Sequence, residues 1–168
     1  SALARAAGAG REIELWWRDD DAVAPTPRLD RLLELSRRFA APVALAVIPE
    51  RAEAALAARL AAEPLAGVLV HGLAHRNRAP EGRKKQELVA ADEQTLAGLA
   101  AGRERLAALF GPRALPVLVP PWNRVAPDLV GRLREAGFSG LSAYAGDPAL
   151  AETGADGLAI RHTHLDPI

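Results

Sequence analysis

Three unbroken apolar runs of strand length, Pro42 to Ile48, Gly67 to Val70 and Leu115 to Val119, constrain this chain more than any other feature. A strand with one wet face alternates apolar and polar residues, whereas a continuous run must be covered on both faces, as strands of a parallel sheet are. The intervening segments have helical spacing. Thr26-Pro27 offers an N-cap and a proline at the first helical position, and Leu29, Leu32, Leu33, Leu35 and Phe39 recur at that spacing behind it. Glu50 to Glu63 reads as an Ala-rich helix, Lys84 to Phe110 as a long one stopped by Gly111-Pro112, and Asp128 to Ala136 as one closed by Gly137. Glu12 to Trp17, Phe138 to Tyr144 and Gly157 to Leu165 supply the other strands. Strands alternating with helices predict right-handed crossovers and an α/β fold with a parallel sheet, open or curled into a barrel.

With 168 residues, 49% of them hydrophobic, the chain has the size and composition of one globular domain, expected over residues 1–168. Lysine plus arginine balances aspartate plus glutamate at 21 each, so no net field gathers nucleic acid or an anionic membrane. No apolar run approaches the roughly 18 residues of a membrane span. No signal peptide is visible, so the expected location is the cytoplasm; the start at Ser1 and the lack of any Met fit a processed chain or a fragment of a longer one. The absence of cysteine excludes disulfides, thiolate zinc sites and a Cys nucleophile, leaving His and carboxylates for any metal.

Residues able to do chemistry gather beyond the predicted strand ends, where parallel α/β folds place their active sites. Arg18-Asp19-Asp20-Asp21 sets three carboxylates in a row. Their mutual repulsion is relieved if a divalent cation takes one as ligand and leaves another free as a base; an acidic loop before a helix would look the same. His71-Gly72-Leu73-Ala74-His75 holds half of the four histidines, four residues apart, where both reach one ion if the segment turns helically. Pro121, Trp122, Asn123 and Arg124 follow Val119-Pro120 and suit the wall of a substrate site, or an ordinary Pro-rich loop. His162 and His164, two apart on the last strand, share a face.

In this order, from residue 15 to 166, the segments resemble the polysaccharide deacetylases, the NodB-homology domain of carbohydrate esterase family 4. That resemblance implies a partial or irregular (β/α) barrel of parallel strands with outer helices. The family's first motif is Thr-Phe-Asp-Asp-Gly, and aligning its downstream Thr-Pro with Thr26-Pro27 makes Asp19 the base and Asp20 the metal ligand. The alternative register, one residue on, makes Asp20 the base and Asp21 the ligand. The second motif, His-x-x-x-His, falls on His71 and His75 and completes an Asp-His-His metal triad. The third, Arg-Pro-Pro-x-Gly, meets Val119-Pro120-Pro121-Trp122-Asn123; its arginine, which orients the base, is absent, and Arg18 or Arg124 stands in. The last motif's general acid falls on His164, followed by Leu165-Asp166, with His162 as the other candidate. The resemblance leads to the expectation of a domain cut short at its C-terminus, near Ile168.

The implied activity is metal-dependent hydrolysis of a carbon–nitrogen bond, N-deacetylation of an acetamido sugar or polysaccharide. The divalent metal expected is zinc, with cobalt, nickel or iron also compatible with such ligands. The expected partner is a carbohydrate or small amide, with no nucleic acid and no membrane insertion. Two other readings remain: an amide or cyclic-imide hydrolase of a small non-sugar substrate, and a carbohydrate-binding relative that keeps the metal without turnover.

Overall fold

The computed structural model describes residues 8–10, 16–144 and 157–161. Strand β1 (Trp17–Ala22) leads to helix α1 (Pro27–Phe39), β2 (Val43–Val47), α2 (Ala54–Leu60) and β3 (Ala66–His71). Then follow α3 (Glu93–Phe110), β4 (Ala114–Val119), α4 (Pro127–Arg132), β5 (Gly140–Leu141) and β6 (Ala159–Ile160). The six strands form one sheet in sequence order, each parallel to its neighbours. Because every crossover steps the same way, the helices cover one face and the other face curls inward, giving a partial (β/α) barrel with β1 and β6 at its edges. The expected fold class is the observed one.

Two apolar clusters record the two faces. The larger joins Val43, Leu45, Val47, Val68, Val70 and Leu118 of the strands to Leu33, Leu56, Leu99 and Leu106 of the helices. The smaller, Ala46, Leu69 and Val119 with Ala44 and Val117 beside it, fills the concave face. Residues two apart on a strand share a face. The parity that sends Leu69 inward therefore sends His71 inward too, at the strand's C-terminal end.

Local signals set most boundaries. Thr26 accepts the Leu29 N–H at 3.1 Å and Pro27 opens α1, whose Leu29 and Leu33 are buried. The helix expected from Lys84 begins only at Glu93, because Asp92 accepts the Thr95 N–H at 2.7 Å as its cap. Residues before it run irregularly, with Leu88 fully buried and bridged to Val125. The helix expected over Glu50 to Glu63 is split into a 3-10 turn at Pro49–Arg51 and α2, since Ala52 between them is extended. The acidic run lies within β1 rather than after it. No helix among the described residues is long and apolar enough to cross a membrane.

Candidate active site

The site is built at the C-terminal ends of β1, β3 and β4, and a bulge in β1 sets its geometry. Asp19 pairs with Leu45 but Ala22 pairs with Val47, so β1 carries one residue more than β2 over that stretch. Asp21 absorbs the extra length at φ 67°, in the left-handed region that Asp enters more readily than most residues. Arg18, in register with the inward-facing Ala44, faces the concave side, and so does Asp20 two residues on. Asp19, in register with the outward-facing Leu45, faces away from them.

The carboxylate that meets the histidines is therefore that of Asp21, and not Asp20 as the Thr-Pro alignment expected. Asp21 Oδ1 lies 3.1 Å from His71 Nε2 and 3.2 Å from His75 Nε2. The hydrogen bond from His71 holds the Asp21 carboxyl below its usual range against the opposing effect of burial, helped by the charges of His71, His75 and Arg51. At its other ring nitrogen, Nδ1, the buried His71 sits 2.9 Å from the Val119 carbonyl oxygen. Both nitrogens thus face acceptors, whereas a neutral imidazole carries one N–H. With Nδ1–H donating to Val119, the Nε2–Asp21 contact needs a further positive charge, from a proton or from a metal ion. The ligand atoms of Asp21, His71 and His75 all lie within 4.8 Å of one another, and this donor set fits a divalent cation.

The His71 to His75 segment converges through an anchored loop rather than a helical turn. Glu87, only 1% exposed, accepts the backbone N–H groups of Leu73 at 2.9 Å, Ala74 at 3.0 Å and Arg76 at 2.9 Å. Gly72 has φ 58°, and a Cβ there would lie 2.5 Å from Pro121 Cδ and collide with the Glu87 carboxylate, so the position admits only glycine. On the opposite wall Pro121 is buried and the Trp122 ring packs on His75, centroids 4.3 Å apart at 48°.

Asp20 is held by Arg18, whose Nε and Nη2 donate to its two oxygens at 2.8 and 2.9 Å. Nη2 also donates to Asn123 Oδ1 at 2.8 Å, and Nη1 to the Ser142 hydroxyl and carbonyl oxygens at 2.8 and 3.2 Å. All five donors of a guanidinium that is 5% exposed are thereby used. Arg124, the other stand-in for the missing motif-three arginine, instead donates to the Lys85 carbonyl at 3.1 Å. Asp19 reaches solvent; partial burial, then the charges of Asp20 and Asp21, push its carboxyl above the ordinary range.

Strain concentrates here. Of the five non-glycine residues at positive φ among the described residues, Asp21, His75, Trp122 and Asn123 belong to the site, and the fifth, Ala40, caps α1. Each costs roughly 1–2 kcal/mol and persists because the surroundings hold it, as expected of a preorganised site. His162 and His164 lie outside the described residues. Sequence reasoning missed Glu87, hidden in a stretch that reads as helix, and Ser142, hidden in one that reads as strand.

No family model matches the sequence, and no curated protein does. Solved structures do. A protein from Mycobacterium smegmatis assigned as a polysaccharide deacetylase superposes with TM-score 0.55 and 24% identity over 69% of this chain and 37% of its own. A family 4 acetyl xylan esterase from Clostridium thermocellum, in complex with a cobalt ion, gives 0.56 and 14% over 77% of this chain and 57% of its own. The deacetylase domain of BpsB from Bordetella bronchiseptica gives 0.63 and 14% over 96% and 75%. This chain thus spans less than two thirds of each of the first two proteins, and its fold is that of the polysaccharide deacetylases its motifs resemble.

Proposed function

We propose that this chain is a metal-dependent amide hydrolase that removes the acetyl group from an acetamido sugar or polysaccharide. The observation that carries the reading is the convergence of Asp21, His71 and His75 beside a second carboxylate, Asp20, that is clamped by Arg18 and free of the histidines. Asp21, His71 and His75 would hold the ion; zinc suits them, as do cobalt, nickel and iron. Such an ion, when bound, supplies Lewis-acid polarisation of a carbonyl and of water.

The chain's own groups divide the proton work. Asp20 accepts the proton of the attacking water, since Arg18 occupies one lone-pair direction on each oxygen and leaves the others open. Base and ligand thus each move one residue along from the Thr-Pro alignment. Arg18 takes the orienting task of the arginine missing before Pro120, reaching the base from the same strand. Trp122 walls the site against His75. His164 is the proposed acid that protonates the departing nitrogen as the amide C–N bond breaks, releasing acetate and a free amine.

The test pairs elemental analysis with acetate release from an N-acetylated chito-oligosaccharide. The wild-type chain should bind about one ion and release acetate, and His75→Ala should lose both. Full metal loading in His71→Ala and His75→Ala alike would overturn the triad.

A further inference from the structure

Several cations that nothing in the proposed reaction uses lie on the segments that border the concave mouth. One residue after His75 the chain leaves the site in a loop over residues 76–86, closed by Arg78 N–H to the Gln86 carbonyl at 2.8 Å and Gln86 N–H to Asn77 Oδ1 at 3.0 Å. It returns through Glu87, which grips the histidine loop itself. Its tip carries Arg83, Lys84 and Lys85, all exposed, against a single acid, Glu81. Lys85 is two residues from Glu87, so at no more than about 3.5 Å per residue it cannot leave the rim. From the opposite wall Arg124, next to the Asn123 that touches Arg18, donates to the Lys85 carbonyl and closes the arc. Arg51 ends the 3-10 turn Pro49–Arg51, whose Glu50 N–H donates to the Leu73 carbonyl of the histidine loop at 3.1 Å.

Arg76 pairs with Glu50 at 3.2 Å. No carboxylate among the described residues lies within ion-pair distance of Arg51, Arg83, Lys84, Lys85 or Arg124. Among the described residues, a chain whose charges sum to zero thus sets several cations without a carboxylate partner on segments that border one opening. Like charges held together repel, and a partner of opposite sign offsets that cost.

We infer that the rim formed by Arg51, Arg83, Lys84, Lys85 and Arg124 binds an anionic glycan, one with carboxylate groups on the sugars flanking the bond placed over Asp21, His71 and His75. The inference rests on the reading of that mouth as the substrate site. Arginine takes carboxylates in a fork and lysine as a point charge, which suits a chain of spaced negative groups better than one fixed ion.

Calorimetric titration tests this without turnover. The full chain is titrated with an oligogalacturonate, a neutral chito-oligosaccharide of equal length, a polyphosphate of equal charge and a single-stranded oligonucleotide. The oligogalacturonate should bind tightest and weaken steeply between low and physiological salt. Lys84→Glu with Lys85→Glu should weaken it about five- to tenfold, the modest loss that reversing two exposed charges brings. Arg38→Glu, the same change on the Arg38–Phe39 pair at the far end of α1, should leave it unmoved. Equal binding of the neutral oligosaccharide, tighter binding of polyphosphate or oligonucleotide, or indifference to the double variant would each overturn the inference. Metal loading and acetate release are read separately, so their failure sinks the hydrolase reading and leaves this result to stand or fall alone.

Discussion

Arg18 separates two neighbouring carboxylates, because its fork occupies Asp20 and leaves Asp21 to the histidines. Asp20→Asn should therefore keep about one metal per chain and lose roughly 10²- to 10⁴-fold in turnover, the usual worth of a positioned base. Asp21→Asn should shed the metal. Asp19→Asn, on the opposite face of β1, should change stability by no more than about 0.5 kcal/mol and leave metal content intact. Metal loss in Asp20→Asn with retention in Asp21→Asn would restore the Thr-Pro alignment. Arg18→Lys keeps the charge but cannot reach Asp20, Asn123 and Ser142 together, so turnover should fall while metal stays. The amino-acid types at the site were legible: carboxylates at Asp19 to Asp21, histidines at His71 and His75. Which carboxylate meets the histidines was not, because one bulged residue at positive φ reverses the faces and leaves no mark in composition or period.

At the scale of elements, the histidine loop is a backbone device fastened by a single side chain. Glu87 spends both oxygens on three N–H groups, and an amide in its place has one acceptor oxygen and an NH₂ turned toward donors. Glu87→Gln should weaken metal affinity by about 10- to 100-fold, the range seen when groups behind metal ligands are changed. Competition against a chelator measures it, and a folded variant with wild-type affinity would show that the loop holds its shape without the carboxylate. The strands that carry the site were readable from their apolar runs, since burial on both faces writes itself into residue type. The loop was not. Its anchor is a charged residue in the core, which periodicity assigns to a helix surface, and α3 consequently starts nine residues after Lys84.

For the whole molecule, the proposed metal binding would be coupled to folding, because Asp21, His71 and His75 come from strands β1 and β3 and the loop after it, and meet only when the sheet is formed. An ion at about 100 times its dissociation constant should add roughly 2.7 kcal/mol. For a chain of this size that is a rise in Tm of about 5–10 °C. Protons compete with the ion for its ligands, Asp21 among them. Its folded carboxyl is held below the ordinary value, so its stabilisation is present above the unfolded pKa, near 3.8, and is lost as pH falls through the lowered folded value. Imidazole ligands must also be neutral to hold the metal, so the metal-induced rise in Tm should shrink from pH 8 to pH 5 before the fold itself yields to acid. Thermal melts with and without zinc at the two pH values check this, with His75→Ala expected to show no rise at either. A rise of equal size at both, or one surviving in His75→Ala, would mean that zinc stabilises the fold from somewhere other than the Asp21, His71 and His75 cluster.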